Sequence, residues 1–257
     1  MRTVTVLSSV FLAIGGLTIG EAASAQRVDE AQALVDRWVE VIGGMDNYHR
    51  IASARYTVTT EMYDPASGRL RRTRPRYATI HRDASGGLYS RVERWEGDDF
   101  IQQGWHPGGK WAVMNGEELS PGDRDFDQAD YVGGDLNYWI FLPFKLNDGG
   151  VNLAYDADDG RGFKKVTVTF GEGVGTARDT WRYYFEDGRS WPAEVSYQTE
   201  RGRGPNTMRW TDIRSVDGFY YVGSREYLNS EGQVRMVVRI HDVSINPELD
   251  LAIFRLP

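Results

Sequence analysis

A short apolar segment near the middle of the chain places the strongest constraint on the fold. Between Tyr138 and Phe144 every residue is apolar, aromatic or proline, whereas the flanking sequence reads as short strands of polar and aromatic residues. A segment of this composition has to be buried. We expect a short helix that is capped by Asp135 and ended by Pro143, because proline lacks an N–H donor and disfavours helical geometry at the residue before it. Residues 131–146 are therefore predicted to form a helical plug inserted into a sheet.

The N-terminal sequence has the three parts of a secretory signal peptide. Arg2 precedes an apolar run, and the small residues Ala23 and Ala25 stand where a signal peptidase would cleave. The run contains serine, glycine and threonine, and a membrane span needs about 20 predominantly apolar residues. We therefore expect cleavage after Ala25, so that residues 1–25 are a signal peptide and residues 26–257 form one domain. The mature protein is expected to be periplasmic or secreted, without stable insertion into a membrane.

Composition limits the classes of partner and cofactor. The sequence has no cysteine, which excludes a disulfide framework, a thiolate nucleophile and a lipid anchor at the cleavage site. The formal net charge of −7 argues against nucleic acid as a partner, because a phosphate-binding face normally shows an excess of basic residues. One basic cluster stands out, and we expect it to form a solvated sheet edge rather than a phosphate site. It consists of Arg69, Arg71, Arg72, Arg74 and Arg76.

Hydrophobic periodicity predicts one N-terminal helix followed by many strands. Apolar residues recur at helical spacing from Ala31 to Ile42, with Asp29 and Gln32 as an N-terminal capping pair. From Ser53 onward apolar and polar residues alternate, and turn residues recur at short intervals. We therefore expect a mainly β (α+β) fold: a single curved antiparallel sheet, or unclosed β-barrel, of about ten strands with an N-terminal helix and a short central helical plug.

The order of these elements resembles the periplasmic lipoprotein carriers of the LolA and LolB type. The resemblance rests on a leading helix that runs into Gly43-Gly44, a first strand in residues 51–58, the central segment 139–144 and a C-terminal segment 243–254. In that family an unclosed antiparallel barrel wraps an apolar cavity that receives acyl chains beneath a helical lid. The resemblance implies the same fold here. It also implies a lid that contains Trp139, Ile140, Phe141 and Phe144.

The sequence contains no catalytic or metal-binding motif with the required spacing. It lacks a G-x-S-x-G elbow, an H-E-x-x-H pair and a phosphate-binding P-loop. The acidic clusters at 123–130 and 156–159 lack the glycine and glutamate of an EF-hand loop. We expect no enzyme activity, no metal site and no cofactor. A cleft in which His81, His106 or His241 meets a carboxylate or a hydroxyl would instead indicate a hydrolase.

The aromatic content indicates either a ligand cavity or a large aromatic core. The chain has 8 tryptophans and 14 tyrosines, and a curved sheet covered by two short helices has limited means of filling its concavity with its own side chains. We expect a monomeric, non-enzymatic carrier that binds a hydrophobic small molecule or lipid between the sheet and the helical lid. The alternatives are a domain with a filled core that binds another envelope protein, and the hydrolase. The candidate ligand-binding residues are Trp38, Tyr56, Val58, Trp139, Ile140, Phe141, Phe144, Trp181, Tyr183 and Trp210.

Overall fold

A computed structural model describes residues 19–156, 160–172, 174, 179–199 and 204–256. Within these residues the chain forms thirteen strands, four α-helices and two short 3₁₀ helices. The strands are β1 Ser53–Tyr63, β2 Leu70–Arg82, β3 Leu88–Glu96, β4 Asp99–His106, β5 Gly109–Met114, β6 Glu117–Glu118, β7 Val151–Asp156, β8 Lys164–Phe170, β9 Thr180–Phe185, β10 Glu194–Gln198, β11 Asn206–Val216, β12 Phe219–Leu228 and β13 Val234–Ile245. The helices are α1 Ile19–Val41, α2 Gly44–Arg50, α3 Arg124–Asp127, α4 Ala129–Ile140, and the 3₁₀ helices η1 Phe144–Asn147 and η2 Leu251–Phe254.

All thirteen strands belong to one antiparallel sheet. Their order is β6-β5-β4-β3-β2-β1-β13-β12-β11-β10-β9-β8-β7, so the sheet has two edges and is not closed into a barrel. The first and last strands, β1 and β13, pair in the middle of the sheet. The strands before the plug therefore form one half of the sheet, and the strands after it form the other half. The expected mainly β fold with a single antiparallel sheet is confirmed.

The sheet has more strands than the expected ten or so. The additional strands are β6 and β7, which form the two edges. Strand β6 is only two residues long, too short to show a periodicity. In β7 the apolar positions are Val151, Leu153 and Tyr155, a pattern of three residues that does not stand out beside the longer strands. The number of strands predicted from the sequence was therefore too low because the two edge strands were missed. An edge strand pairs with only one neighbour and can be short.

The first helix is longer than its periodicity predicts. It begins at Ile19, so Asp29 and Gln32 lie inside it and the expected capping pair is wrong. The Gln32 amide Nε2 instead donates hydrogen bonds to Asp36 Oδ1 at 2.8 Å and to Asn147 Oδ1 at 2.9 Å. This second contact ties α1 to the end of the plug. The predicted cleavage position after Ala25 falls within α1, and the first 18 residues of the predicted signal peptide lie outside the described residues.

The plug helix α4 also begins earlier than expected. It starts at Ala129, so Asp135 occupies the middle of the helix and does not cap it. Two glycines, Gly133 and Gly134, precede Asp135, and Gly133 is needed where α4 approaches β3. A Cβ atom at that position would lie 1.9 Å from the Ser90 Oγ. Close packing therefore offsets the low helix propensity of glycine.

Helix α4 lies in the concavity of the sheet. It packs on β2, β3, β4 and β5 in one half and also on β12 in the other half, and α1 covers β7 and β8. A helix of 12 residues can contact both halves only where the sheet curves around it. The burial predicted for the central segment is confirmed, since Trp139, Ile140, Phe141, Leu142 and Phe144 are at most 7% exposed. No helix in the described part of the chain is long and apolar enough to cross a membrane.

Four arginines of the basic cluster lie on β2, an interior strand of the sheet, and not at an edge as expected. Strand β2 is hydrogen-bonded to β1 on one side and to β3 on the other, so it is not an edge. Arg71 and Arg72 are exposed, but Arg74 and Arg76 are only partly exposed. Arg76 pairs with Val58, a buried residue on the same face of β1 as Tyr56, whose hydroxyl bonds α4, and Arg76 therefore lies on the concave face. The expectation of a solvated edge was wrong because the sequence does not give the neighbours of a strand.

Candidate functional site

A cavity of about 270 Å³ opens beside α4, between the two halves of the sheet. Small-molecule pockets usually measure about 300–1,000 Å³, so this cavity is at the small end. Its apolar wall comes from both halves of the sheet and consists of Leu88, Trp105, Val151, Phe170, Val174 and Trp181. Its polar and ionisable groups include Asp135, Lys145, Asp148 and Asp179. Tyr131, which is 52% exposed, lies at the rim.

Trp181 is the central aromatic residue of the cavity wall. Its ring stacks on Tyr197 with a centroid distance of 4.5 Å and meets the Trp139 ring edge-on at 5.4 Å. These contacts fix one face and one edge of the indole. The side chain is partly exposed, so the remaining surface is available to an apolar ligand.

Asp135 is the carboxylate that α4 contributes to the cavity. Its Oδ1 accepts a hydrogen bond from Trp139 Nε1 at 3.0 Å, within the same helix turn. Burial raises the pKa of Asp135, and the nearby guanidinium groups of Arg225 and Arg76 together with the Trp139 hydrogen bond only partly oppose this effect. The carboxyl group is therefore held in an environment that disfavours its charge.

Arg225 packs over the face of the Trp139 ring. Its guanidinium carbon is 3.8 Å from the centroid of the Trp139 ring, a cation–π contact. The side chain is on β12 and only 3% exposed. Its Nε and Nη1 atoms have no hydrogen-bond partner among the described residues. A buried arginine with free donors is costly, because charged groups in a protein interior normally have their hydrogen bonds satisfied.

Two hydrogen bonds formed by three tyrosines hold α4 and the sheet together. The buried Tyr56 hydroxyl on β1 donates to the Leu136 carbonyl oxygen at 2.9 Å. The hydroxyl groups of Tyr138 and Tyr183 are 3.1 Å apart and share a hydrogen bond. Burial raises the pKa of Tyr56, Tyr138 and Tyr183, so all three remain neutral donors. These hydrogen bonds fix the position of α4 on the concave face of the sheet.

The ten residues predicted to bind a ligand occupy two environments. Trp181 lines the cavity. The other nine are at most 7% exposed and belong to the core: Trp38, Tyr56, Val58, Trp139, Ile140, Phe141, Phe144, Tyr183 and Trp210. In this arrangement they complete the packing between the sheet, α1 and α4. Direct contact between these nine side chains and a ligand stays a prediction.

The sequence did not single out Arg225 or assign Asp135 its position beside the cavity. Arg225 is the one charged side chain at the inward positions of β12, where Phe219, Tyr221 and Tyr227 are also buried. A lone arginine at an apolar position of a strand is the signal that could have identified it. The role of Asp135 could not be read in this way, because its neighbours depend on the start of α4.

A second cavity, of about 390 Å³, lies on the convex face of the sheet under η2. His81, Tyr89 and His106 line it side by side on β2, β3 and β4, with ring centroids 5.7 and 6.2 Å apart. His106 Nδ1 accepts a hydrogen bond from the backbone of Gly108 at 3.0 Å. Within the described part of the chain, neither histidine is hydrogen-bonded to a carboxylate or hydroxyl. The arrangement that would indicate a hydrolase is not formed there.

His241 does form the contacts that a hydrolase would require, but on a flat surface. Its Nε2 is 2.9 Å from Thr59 Oγ1, and its Nδ1 is 2.7 Å from Asp242 Oδ2. The three side chains lie on the convex face, and the Asp242 side chain is 74% exposed. None of the cavities described above includes them. Without a cleft to exclude water and to orient a substrate, this chain of hydrogen bonds is a surface interaction.

The acidic cluster before α4 has structural partners. The Asp125 carboxylate pairs with Arg94 at 2.5 Å, and Asp130 pairs with Lys110 at 3.0 Å. Asp123 and Asp127 accept hydrogen bonds from backbone N–H groups of the preceding loop. Among the residues that the structure describes, no group of three histidine, aspartate or glutamate side chains is arranged to hold a metal ion. In the second cluster, Asp158 and Asp159 lie outside the described residues.

Comparison with solved structures identifies the fold. A DUF1329 family protein from Desulfovibrio piger superposes with a TM-score of 0.57 and 13% identity, over 88% of this chain and 97% of that one. An outer membrane lipoprotein-sorting protein domain from Vibrio parahaemolyticus gives a TM-score of 0.50 and 10% identity, over 91% and 96% of the two chains. A LolA superfamily protein from Nitrosomonas europaea gives 0.47 and 12%, over 88% and 97%.

Comparison of the sequence with models of protein families and with curated proteins finds no match. At the identities found among solved structures, the likeness establishes the fold alone. The chain therefore has a LolA-like fold, as its order of elements indicated.

Proposed function

We propose that this protein, which has the LolA-like fold, is a periplasmic carrier that holds a hydrophobic ligand, a lipid or an acyl chain, between the concave face of its sheet and helix α4. The observation that carries the proposal is the cavity beside α4, because it is built from both halves of the sheet and presents the partly exposed Trp181 ring. Burial of apolar surface at about 25 cal/mol per Å² would drive binding with little polar chemistry.

The size of the cavity indicates how a ligand would be accommodated. A volume of about 270 Å³ can hold part of an acyl chain, so a longer chain requires α4 to move away from the sheet. The helix is held by the burial of Leu136, Trp139 and Ile140 and by hydrogen bonds from Tyr56 to Leu136 and between Tyr138 and Tyr183. Each hydrogen bond contributes about 0.5–1.5 kcal/mol, and an acyl chain that enters beneath the helix has to replace the apolar contacts of these buried side chains with its own methylene groups. The proposed lid is therefore α4 together with the central segment.

The first test is whether the protein carries lipid. Protein purified from the periplasm of a producing cell is extracted with organic solvent and analysed by native mass spectrometry. We expect a bound lipid or fatty acid, and a mature N-terminus at Gln26. Protein that is free of lipid and that also fails to bind an apolar fluorescent probe in a saturable manner would overturn the carrier, and would favour an interaction with another envelope protein.

The second test localises the ligand. The variant Trp181→Ala removes the aromatic wall of the cavity and is expected to weaken binding of the apolar probe at least about tenfold. The matched control is Trp95→Ala, because Trp95 is 57% exposed on the convex face. Equal weakening by both substitutions would show that the probe binds elsewhere.

A further inference from the structure

The concave face carries hydrogen-bond donors that lack partners. Among the described residues, the buried side-chain atoms without a partner are Arg74 Nε, Arg225 Nε and Nη1, Trp210 Nε1 and the Ser90 hydroxyl. Four of these five atoms are N–H groups, and they belong to three residues that face the interior of the sheet. An unpaired buried donor costs about 1–3 kcal/mol, and more when the group is charged. The four N–H groups of these three residues can only donate, and unpaired donors of this kind are satisfied by an anion.

These three residues lie on one row across the sheet. In the strand register Arg74 is opposite Thr60, Thr60 is opposite Val238, Val238 is opposite Arg225, and Arg225 is opposite Trp210. Directly paired residues point to the same face of an antiparallel sheet. Three strand spacings, about 14 Å, separate the Cα atoms of the two arginines. The guanidinium groups of Arg225 and Arg76 both act on the Asp135 carboxylate of α4, and Arg74 lies near Arg76, so the row is directed toward α4.

The local charge balance favours an anion. Arg76 is two residues from Arg74 on the same face, and burial together with the Arg94 and Arg74 guanidinium groups lowers its pKa. Arg94 has its own partners, Asp125 and Gln103, each at 2.5 Å. Asp135 interacts with Arg225 and Arg76, and Glu96 also interacts with Arg76. Among the described residues none of Arg74, Arg76 and Arg225 forms an ion pair, and Glu96 is itself 3.6 Å from Arg94. The three arginines therefore carry more positive charge than the two nearby carboxylates can balance, which favours a further anion.

We propose that Arg225, Arg74 and Arg76 form a binding site for the carboxylate or phosphate group of an amphiphilic ligand, with the apolar part of the ligand in the cavity at Trp181. Asp135 connects the two regions, because it lines the cavity and its carboxylate accepts a hydrogen bond from Trp139, the indole on which Arg225 stacks. The ligand's anion takes the place of Asp135 as the main counter-charge of Arg225. The ligand class is therefore an anionic amphiphile, and this assignment rests on the proposed carrier function.

Binding of matched ligands tests the anion site. Dodecanoate has a chain and a charge, dodecan-1-ol has the chain alone, and inorganic phosphate has the charge alone. With delipidated protein we expect dodecanoate to bind at least about tenfold more tightly than dodecanol, measured by titration of tryptophan fluorescence, since about 1.4 kcal/mol corresponds to tenfold. In Arg225→Met, and to a smaller extent in Arg74→Met, this ratio is expected to fall toward one. In Asp135→Asn it is expected to rise, because a competing carboxylate is removed.

A stability measurement separates this role from a purely structural one. Replacement of an unpaired buried arginine by methionine removes a charge without breaking a hydrogen bond, so Arg225→Met is expected to melt at the same temperature or higher. An arginine that served only to neutralise Asp135 would instead destabilise the fold when removed. The control is Arg209→Met, which changes an exposed arginine on the opposite face of the neighbouring strand and should alter neither the ratio nor the melting temperature.

The outcomes distinguish the two proposals. Equal binding of dodecanoate and dodecanol to the native protein would overturn the anion site and leave the carrier function standing. Binding of inorganic phosphate that is lost in Arg225→Met, without binding of either chain, would support the arginine site for a free anion and overturn the carrier. A native protein that binds none of the three probes would overturn both.

Discussion

At the scale of single residues, the concave face combines ionisable groups with an environment that opposes their charge. Asp135 and Arg225 both contact the Trp139 indole without forming a direct ion pair: the carboxylate accepts a hydrogen bond from Nε1 at the ring edge, and the guanidinium lies over the ring face. Buried charges of this kind reduce the stability of a protein relative to a well-packed apolar interior. Their presence in a chain that fills its core with aromatic residues is explained most simply by ligand binding, which requires polar groups where stability alone does not.

The raised pKa of Asp135 makes a prediction about stability and pH. An aspartate in the unfolded chain titrates near pH 3.9, and below that pH the group is protonated in both states and has no effect. Above it, the unfolded state releases its proton more readily than the folded state, so this group lowers stability as the pH rises toward the folded-state pKa. The asparagine of Asp135→Asn does not ionise, so this variant does not lose stability in this way. We therefore expect Asp135→Asn to melt at a higher temperature than the native protein at pH 7, with the difference vanishing near pH 3.9.

The measurement is thermal unfolding followed by circular dichroism at several pH values. Asp98→Asn is the control for the change in net charge, because Asp98 is exposed in a turn between β3 and β4. A native protein more stable than Asp135→Asn at pH 7 would mean that attraction to Arg225 and Arg76 exceeds the cost of burying the carboxylate.

At the scale of secondary-structure elements, the packing of α4 on β3 depends on the absence of a side chain at Gly133. A Cβ atom there would lie 1.9 Å from Ser90 Oγ, so Gly133→Val forces the helix away from the strand. Overpacking of this kind typically costs about 1–3 kcal/mol. We expect a lower midpoint of denaturant unfolding and faster hydrogen exchange of the α4 amides. In Gly149→Val the new side chain meets open space and the midpoint should change little, so equal effects of the two variants would contradict the proposed contact.

The elements also show how far the sequence determines this fold. The long strands could be predicted because alternation is a local property, and the burial of residues 139–144 followed from composition alone. The start of α4 could not be predicted, because Gly133 and Gly134 disfavour a helix locally and the close packing of Gly133 on Ser90 that offsets this is not visible in the sequence. The orientation of Arg74 and Arg76 could not be predicted either. A strand rich in arginine is typical of a sheet edge, and only the sheet order shows that β2 has a neighbour on both sides.

The candidate site was only partly predictable for the same reason. Trp181 was identified as an aromatic residue on a strand, and it lines the cavity. The arrangement of Arg225, Trp139 and Asp135 joins β12 to α4, two elements that are distant in the sequence. No local pattern contains the register that brings Arg225 opposite Val238 and in line with Arg74.

At the scale of the whole molecule, the pairing of β1 with β13 and the central segment are what unite the two halves of the sheet. Phe144 of the central segment joins α2 to the second half of the sheet, because its ring stacks on Tyr48 of α2 at a centroid distance of 4.7 Å and also contacts Phe219 of β12 at 6.3 Å. Phe144 is fully buried. The described residues share one continuous core that includes side chains of both halves. Such a core predicts that the two halves unfold together.

Phe144→Ala tests this coupling. Truncation of a fully buried phenylalanine typically costs about 3–5 kcal/mol, because it removes apolar contacts and leaves a cavity. We expect a large decrease in the free energy of unfolding, while the far-ultraviolet circular dichroism and tryptophan fluorescence transitions still coincide, since α2 and β12 both lose contacts. The comparison variant is Phe100→Ala, a partly exposed residue that packs on Trp95 at the convex face and should cost much less. Two separate transitions in Phe144→Ala would show that each half of the sheet has enough core to fold by itself, with the plug serving only as a lid.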